Sequence, residues 1–303
     1  MKILVTGGAG FIGSHVVDAY INAGHRVIVI DNSLTGFEKN INKKAKFYKA
    51  DIRDAQKIDA ILKYEKPEIV NHLAAIAEVV KSLRDPIPTM EVNVMGTVNL
   101  MRSGGEIKIK KFIFSSTGGA IYGEPKKIPA NENTPATPLS PYGLSKLLSE
   151  ECIKYYARNY NFDYLILRYP NVYGPRQNPK GEAGVVAIFG ELMKHGQRPI
   201  IFGDGTKTRD YVFVEDIAKA NLVSLQKGKN NVINLGSTKE TSDQNIFDII
   251  AKITKFEKKP IYKPFRRGEV YKISLSNDRA KKILNWKPIM AIEKGIKTTI
   301  NSL

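Results

Sequence analysis

The sequence predicts an α/β fold, a doubly wound parallel sheet followed by a smaller C-terminal α/β unit. Three observations predict it. Short β-branched runs alternate with helical patterns through the first half of the chain, the texture of a parallel sheet covered on both faces. The first run opens directly into Gly7-Gly8-Ala9-Gly10-Phe11-Ile12-Gly13. The second run ends on Asp31, eighteen residues beyond Gly13. A chain of 303 residues has material for one large domain or two modest ones.

Taken in order, the predicted strands are residues 3–6, 27–30, 47–50, 69–73, 112–115 and 164–168, each a run of β-branched or aromatic residues. Helical patterns fill the intervals. After Tyr169 the chain becomes Pro/Gly-punctuated over residues 170–184, so the first domain is expected to span 1–170 and the second 171–303. Residues 209–226 and 232–235 again carry strand-and-helix patterning, and the stretch 209–235 is expected to return to the first domain. Two amphipathic helices close the chain, at about residues 245–254 and 292–302, with Trp286-Lys287-Pro288 between them.

The glycine cluster follows a strand and opens a helix, satisfying G-x-x-G-x-x-G and the overlapping G-x-G-x-x-G. Such a turn brings backbone N–H groups against a pyrophosphate and packs the helix closely on its strand, the arrangement of a Rossmann-type dinucleotide site. At the end of the second strand the Asp31 carboxylate is placed to accept hydrogen bonds from ribose hydroxyls. A carboxylate there repels a 2′-phosphate, and Asn32 and Ser33 offer no cation to bind one. NAD is therefore expected rather than NADP. Asp51, after the third strand, reads equally as an adenine contact or as a helix cap. The small residues of His72-Leu73-Ala74-Ala75 would let a cofactor lie against the backbone, with His72 itself structural. His15, His25, His72 and His195 are scattered without ligand spacing, so no metal centre is expected.

Tyr-x-x-x-Lys occurs twice, at Tyr122/Lys126 and Tyr142/Lys146. Gly123 and Pro125 break the first pair out of any helix. The second opens a helix over residues 142–160, with Pro141 just ahead and Leu144, Leu147, Leu148, Cys152 and Tyr155 at helical spacing. Positions i and i+4 are neighbours on a helix, so the Lys146 ammonium should lie near the Tyr142 phenol and lower its pKa toward neutrality. Tyr142 then serves as a general base. A hydroxyl from the end of the fifth strand, Ser115-Ser116-Thr117-Gly118-Gly119, should relay the proton: Thr117 is the first choice and Ser116 the second. The competing reading is that these hydroxyls only satisfy backbone groups.

Composition bounds the partners. With 47 Lys+Arg against 30 Asp+Glu the formal charge is +17, which invites a polyanion partner. The cations are spread along the chain without a nucleic-acid reading motif, so a solvated lysine-rich surface is the expectation and no nucleic acid is. No apolar run is long enough for a membrane span. The N-terminal residues pass straight into the glycine cluster, leaving no room for a secretion signal. A lone cysteine, Cys152, fits a reducing cytoplasm.

Together these residues resemble the extended short-chain dehydrogenase/reductase superfamily, and within it the UDP-glucose 4-epimerases of bacteria and archaea. The resemblance covers essentially the whole chain. It rests on residues 7–13, 31–36, 51–54, 72–75, Asn93, 115–123, 140–146, 167–174 and 203–216. It implies a homodimer built on two helices per subunit, those ending near Arg102 and running over residues 142–160, and tightly held NAD. The tyrosine takes the proton of the sugar 4-hydroxyl while C4 gives hydride to NAD, and the 4-keto sugar turns so that hydride returns to its other face. Carried over, the cofactor contacts are Gly7, Gly10, Phe11, Ile12, Gly13, Asp31, Asn32, Ser33, Thr35, Gly36, Asp51, Ile52, Leu73, Ala74, Ala75, Asn93, Ser115, Tyr142, Lys146 and Tyr169. For the substrate they are Thr117 and Tyr142, Asn171 near the sugar, Val185, Pro199, Ile201 and Phe202 around uracil, Arg209 and Arg266 on the diphosphate, and Glu269 on the ribose. Guanidinium forks suit a diphosphate and a carboxylate suits a ribose diol.

The sequence departs from that pattern in places. Ala77 stands where many epimerases carry a lysine. Ser103-Gly104-Gly105 falls inside a predicted helix and should weaken it by about 1 kcal/mol per glycine. Ile273 falls near the position that governs entry of an N-acetyl sugar. A 4,6-dehydratase needs an acid pair after the fifth-strand threonine, and Gly118 and Gly119 cannot supply one. A UDP-glucuronate or UDP-N-acetylglucosamine 4-epimerase is the nearer alternative. A dinucleotide-binding sensor without chemistry is the rival from another class.

Overall fold

The computed structural model describes residues 1–181 and 184–303. Its first half runs β1 (Lys2–Thr6), α1 (Phe11–Asn22), β2 (Arg26–Asp31), β3 (Lys46–Lys49), α2 (Ala55–Glu65), β4 (Ile69–His72), α3 (Val79–Arg84), α4 (Ile87–Met90), α5 (Gly96–Glu106), β5 (Lys111–Thr117), α6 (Gly118–Ile121), α7 (Pro141–Tyr160) and β6 (Asp163–Tyr169). The second runs β7 (Asn171–Tyr173), α8 (Val185–Lys194), β8 (Ile200–Phe202), β9 (Thr208–Arg209), β10 (Tyr211–Phe213), α9 (Val214–Ser224), β11 (Asn231–Asn234), β12 (Thr241–Ser242), α10 (Asp243–Thr254), β13 (Ile261–Lys263) and α11 (Ile292–Ser302).

Among the described residues, seven strands form one parallel sheet in the order β11-β6-β5-β4-β1-β2-β3. This is the doubly wound sheet the sequence predicts, and its two faces divide the apolar residues by strand alternation. Ile3 and Val5 pack with α1 and α9, whereas Leu4 packs with α2, α5 and α7. The strand order reverses between β1 and β4, and in such sheets ligands bind beyond the carboxyl ends of the strands at that point. Within residues 209–235 the pieces part company: α9 lies on α1 and β11 pairs with β6, while β10 pairs with β7 and β9 with β12. A separate core joins α8, α10 and α11 to Tyr173, Tyr211 and Phe213.

Local chemistry sets the helix ends. The Asp54 carboxylate caps α2 by accepting from Lys57 N at 3.0 Å, and Lys66 stops it in the left-handed region. Ser140 caps α7, Pro141 fits its first turn, and Asn161 ends it at φ 55°. Residues 103–105 stay within α5 despite their low helix propensity. A side chain at Gly105 would meet the Tyr160 ring at 2.3 Å, so the glycine lets α5 approach α7, and tertiary packing outweighs propensity. No helix among the described residues is long and apolar enough to cross a membrane.

Candidate active site

The glycine turn is shaped by close approach. Gly7 sits at φ +72°, and a Cβ there would stand 2.7 Å from Ala74 N. At Gly13 it would stand 2.0 Å from Gly7 O, so the loop and α1 can pack this way only without side chains. Gly10 is the N-cap of α1; no side chain caps it and no acid lies in its first turn among the described residues. The amides of Phe11, Ile12 and Gly13 thus open an anion-binding helix end. Asp31, buried at the end of β2, accepts from Ala9 N at 3.0 Å and from Ser33 N at 2.8 Å. Each carboxylate oxygen keeps a free lone pair.

The flanking residues fall into place around this cradle. Gly36 abuts Ala9, and Thr35 is exposed beside it. Asn32 donates to Asp51 at 3.1 Å. Asp51 caps no helix, because Asp54 does; it chelates Arg53 instead, and those hydrogen bonds hold its carboxyl down at about 2. Ile52 is buried against Gly96. Leu73 and Ala74 hydrogen-bond the end of β1 through Thr6 O and Thr6 Oγ1, which carries the half-buried residues 73–75 across the mouth of the turn. His72 is locked between Thr6 Oγ1 at 2.7 Å and Thr97 Oγ1 at 2.9 Å, and burial holds it neutral.

Two expected cofactor contacts have their side chains committed elsewhere. Asn93 spends its amide on Ile76 N, Ile76 O and Ser145 Oγ, all at 2.8–2.9 Å, so it fixes the loop after β4 against α7. Tyr169 Oη accepts from Ser115 Oγ at 2.9 Å and Asn221 Nδ2 at 2.8 Å. The Asn221 side chain continues to Asn71, which donates on to Tyr20. That buried chain ties β5, β6, α9, β4 and α1 together behind the sheet's edge.

The catalytic candidates converge where β5 meets α7. The Thr117 hydroxyl lies close enough to the Tyr142 phenol to favour its ionised form. Ser116 does not share that position: its hydroxyl donates to Glu150 at 2.6 Å, two helical turns beyond Tyr142. The expected effect of Lys146 on the phenol is absent. Its ammonium donates to Ser115 O at 2.8 Å and lies 4.6 Å from the Phe114 ring centroid, so it faces the strand. Tyr142 keeps some solvent-accessible surface, yet its phenol sits deep enough that burial pushes its pKa up to about 12, with Thr117 pulling the other way. Burial likewise brings Lys146 down to about 7, opposed by the nearby Glu150 carboxylate. The other Tyr-x-x-x-Lys pair is split: Tyr122 is buried between Arg168 and Asn234, and Lys126 is exposed.

Sequence reasoning passed over the ion pair beneath this site. Glu150 and Arg168 are both buried and form two bonds, Nε–Oε1 at 2.9 Å and Nη2–Oε2 at 2.6 Å. A signal existed: Tyr142, Lys146 and Glu150 stand at i, i+4 and i+8, so a second charge follows the first on the buried face of α7.

On the other side of the cleft, Asn171 lies beside Gly119, where a Cβ would come within 3.3 Å of its Oδ1. Val185 opens α8 and packs partly on the core. Pro199 is buried, its carbonyl accepting from Ile261 N. Ile201 is not in the site: residues along β8 alternate, so it points into the core at 1% exposure while Phe202 faces the Arg266 guanidinium at 4.1 Å. Ile273, too, is sealed in a small core with Tyr122 and Leu275 rather than lining an opening. Arg209 donates to Thr208 O and Tyr271 O. Arg266 pairs with Glu269 Oε1, and the other oxygen of Glu269 takes Lys207 Nζ at 2.7 Å. Lys207, a buried cation among the chain's many lysines, had no sequence signal.

Comparison with known proteins places these features in context. Residues 3–236 match the model of the NAD dependent epimerase/dehydratase family. A protein of Methanocaldococcus jannaschii is 50% identical over 299 residues, covering 99% of this chain and 97% of the relative. The crystal structure of UDP-glucose 4-epimerase from Thermotoga maritima, with UDP-glucose, superposes with a TM-score of 0.98 at 47% identity, covering 100% of this chain and 98% of that one. That of the Thermus thermophilus UDP-glucose 4-epimerase, in complex with NAD, gives 0.95 at 37% identity and the same coverages.

Proposed function

The chain belongs to the NAD dependent epimerase/dehydratase family, and from that premise we propose that it is an isomerase interconverting the C4 epimers of a UDP-hexose, UDP-glucose and UDP-galactose. The observation that carries the reading is the Thr117–Tyr142 hydroxyl pair at the end of β5, beside a side-chain-free dinucleotide cradle. A 4-epimerase needs a group that removes the proton of a secondary hydroxyl and later returns it.

The cradle fits NAD. The amides of residues 11–13 would take the pyrophosphate, Asp31 a ribose diol, Asp51 and Ile52 the adenine end, and Ser115 and Lys146 the nicotinamide half. When bound, NAD supplies a reversible acceptor for the C4 hydrogen. This chain's own residues manage the proton. Thr117 would accept the sugar hydroxyl's hydrogen bond and relay the proton to Tyr142 in its phenolate form, which the positive charge of bound NAD would favour against the burial that raises its pKa. The phenol would then hold the proton until the 4-keto sugar has presented its other face. Lys146 lies one helical turn along α7 with its ammonium on Ser115 O, so it would act on the nicotinamide side and not on the phenol. We propose the matching division of labour: residues 1–170, with α9 and β11 returned to their sheet, hold the dinucleotide, and the rest of 171–303 holds the nucleotide sugar.

The test is direct. Purified protein is given UDP-glucose, UDP-galactose, UDP-N-acetylglucosamine and UDP-glucuronate separately, and products are read by NMR. Conversion of the first pair is expected. Turnover of only the N-acetyl or glucuronate sugar would overturn the hexose assignment, and no 4-epimer from any of the four would overturn the epimerase.

We also propose a cytoplasmic homodimer. Leu144, Leu148 and Tyr155 leave 40–56% of their surface exposed along one face of α7, and Met95, just ahead of the adjacent α5, leaves 54%. An apolar stripe of this kind on paired helices suits a two-fold interface. Light scattering should give twice the chain mass, with Leu148→Glu shifting it toward monomer.

A further inference from the structure

Lys207 lies just ahead of β9, 6% exposed and far from the Tyr142 chemistry in sequence, inside the stretch 203–216 but with no contact assigned to it there. Its ammonium bridges two carboxylates, Glu269 at 2.7 Å and Asp243 at 3.2 Å. Its carbonyl accepts from Asp243 N at 3.1 Å, at the start of α10. Glu269 in turn holds Arg266, whose guanidinium stacks on Phe202. One chain of contacts therefore links β8, the segment before β9, the first turn of α10 and the loop carrying Arg266 and Glu269. Lys207 is its central member.

From this geometry we propose that Lys207 is a positioning residue for nucleotide recognition: it pins the Glu269 carboxylate so that its remaining lone pairs meet the ribose hydroxyls of a uridine diphosphate. The inference rests on the reading of this cleft as a nucleotide-sugar site and assigns a further residue to it. Lys207 and Arg266 together balance Glu269 and Asp243 in charge, but only Lys207 joins the two carboxylates, which come from different elements, and that fixes the loop bearing Glu269. The charged groups facing Glu269 are Lys207 and Arg209 from the β9 segment and Arg266 from its own loop, with Asp243 of α10 reached through Lys207. Burial pushes the Glu269 carboxyl up, and these cations, Lys207 foremost, more than offset it. Lys207 thus keeps the carboxylate both in place and ionised, the form that accepts two hydroxyl donors.

The test separates action through Glu269 from direct attraction of phosphate. Binding of UDP and of 2′,3′-dideoxy-UDP to NAD-replete protein is measured by calorimetry for wild type, Lys207→Met and Lys207→Arg. Lys207→Met should weaken UDP roughly tenfold and the dideoxy compound less than about threefold, since a misplaced carboxylate matters only where hydroxyls meet it. Lys207→Arg should recover most of the loss. In turnover, KM should rise while kcat holds. An equal loss on both ligands, or none on UDP, would overturn the proposal; if Lys207→Met fails to fold, Lys207→Gln is read by the same outcomes. Wild-type protein that binds no UDP would remove the nucleotide reading and this inference with it, whereas UDP binding indifferent to Lys207 would remove this inference alone.

Discussion

Replacing Arg168 by Met tests whether the ion pair beneath the catalytic helix is structural bedrock. Glu150 has no exposed surface and Arg168 has 6%, so solvent screening does not dilute their interaction. Methionine approximates the arginine stem but leaves the carboxylate with the Ser116 hydroxyl as its remaining direct partner. Breaking one side of a buried pair costs about 3–5 kcal/mol because a charge is left uncompensated. For a chain of this size that lowers the melting temperature by roughly 5–15 °C. The double variant Glu150→Leu/Arg168→Met should cost less than Arg168→Met alone, since it removes the stranded charge and loses only the hydrogen bonds of Ser116 and Tyr122.

Both variants are compared with wild type by calorimetry or circular dichroism at neutral pH. A single variant costing under about 1 kcal/mol, or a double variant costing as much as the sum of the singles, would refute the reasoning.

Other outcomes follow from the same geometry. Tyr142→Phe should retain dinucleotide binding yet lose roughly 10²–10⁴-fold in kcat; near-normal turnover would show that another group moves the proton. Burial lowers Lys146 to about 7 while Glu150 pulls it up, so Glu150→Gln should lower it further and leave the amine neutral over more of the neutral range. Its kcat/KM should drop more at pH 8 than at pH 6, and parallel pH profiles would contradict the coupling. Asp31→Ala should weaken NAD on fluorescence titration by roughly tenfold or more, through lost ribose acceptors and a looser glycine turn; unchanged affinity would deny the carboxylate that role.

What the sequence made legible was whatever local spacing carries. The glycine turn, Asp31 and the helical Tyr142/Lys146 pair are read from intervals of a few residues, and alternating strand and helix patterns yield the sheet. What failed needed a partner from far along the chain. Ser116 and Thr117 are adjacent hydroxyls, and only the residues across from them, Glu150 and Tyr142, distinguish their roles. Lys146 shares a helix face with Tyr142, yet its ammonium turns to Ser115 O because a strand backbone lies within reach. Ile201 and Phe202 exchange core and cleft by a single step of strand alternation. Gly104 and Gly105 look like helix breakers until Ile109 and the Tyr160 ring are seen against them.

The charge of +17 acquires a definite meaning once the cations are placed. Among the described residues, Lys111, Lys146, Arg168 and Lys207 are buried, and each is bound by carbonyl or carboxylate oxygens. The excess therefore lies on the surface, where individual ion pairs contribute only about 0–1 kcal/mol to stability. Its effect must be long-range, a positive field acting on a diphosphate that carries two negative charges as it approaches. Such a field is screened over about 10 Å at 0.1 M salt, whereas the short-range contact of the Thr117–Tyr142 pair is not. Raising ionic strength from about 10 mM to 300 mM should thus lower kcat/KM for the UDP-sugar several-fold and leave kcat nearly constant. A kcat that fell in parallel would place the salt-sensitive charges at the reacting centre and not on the surface.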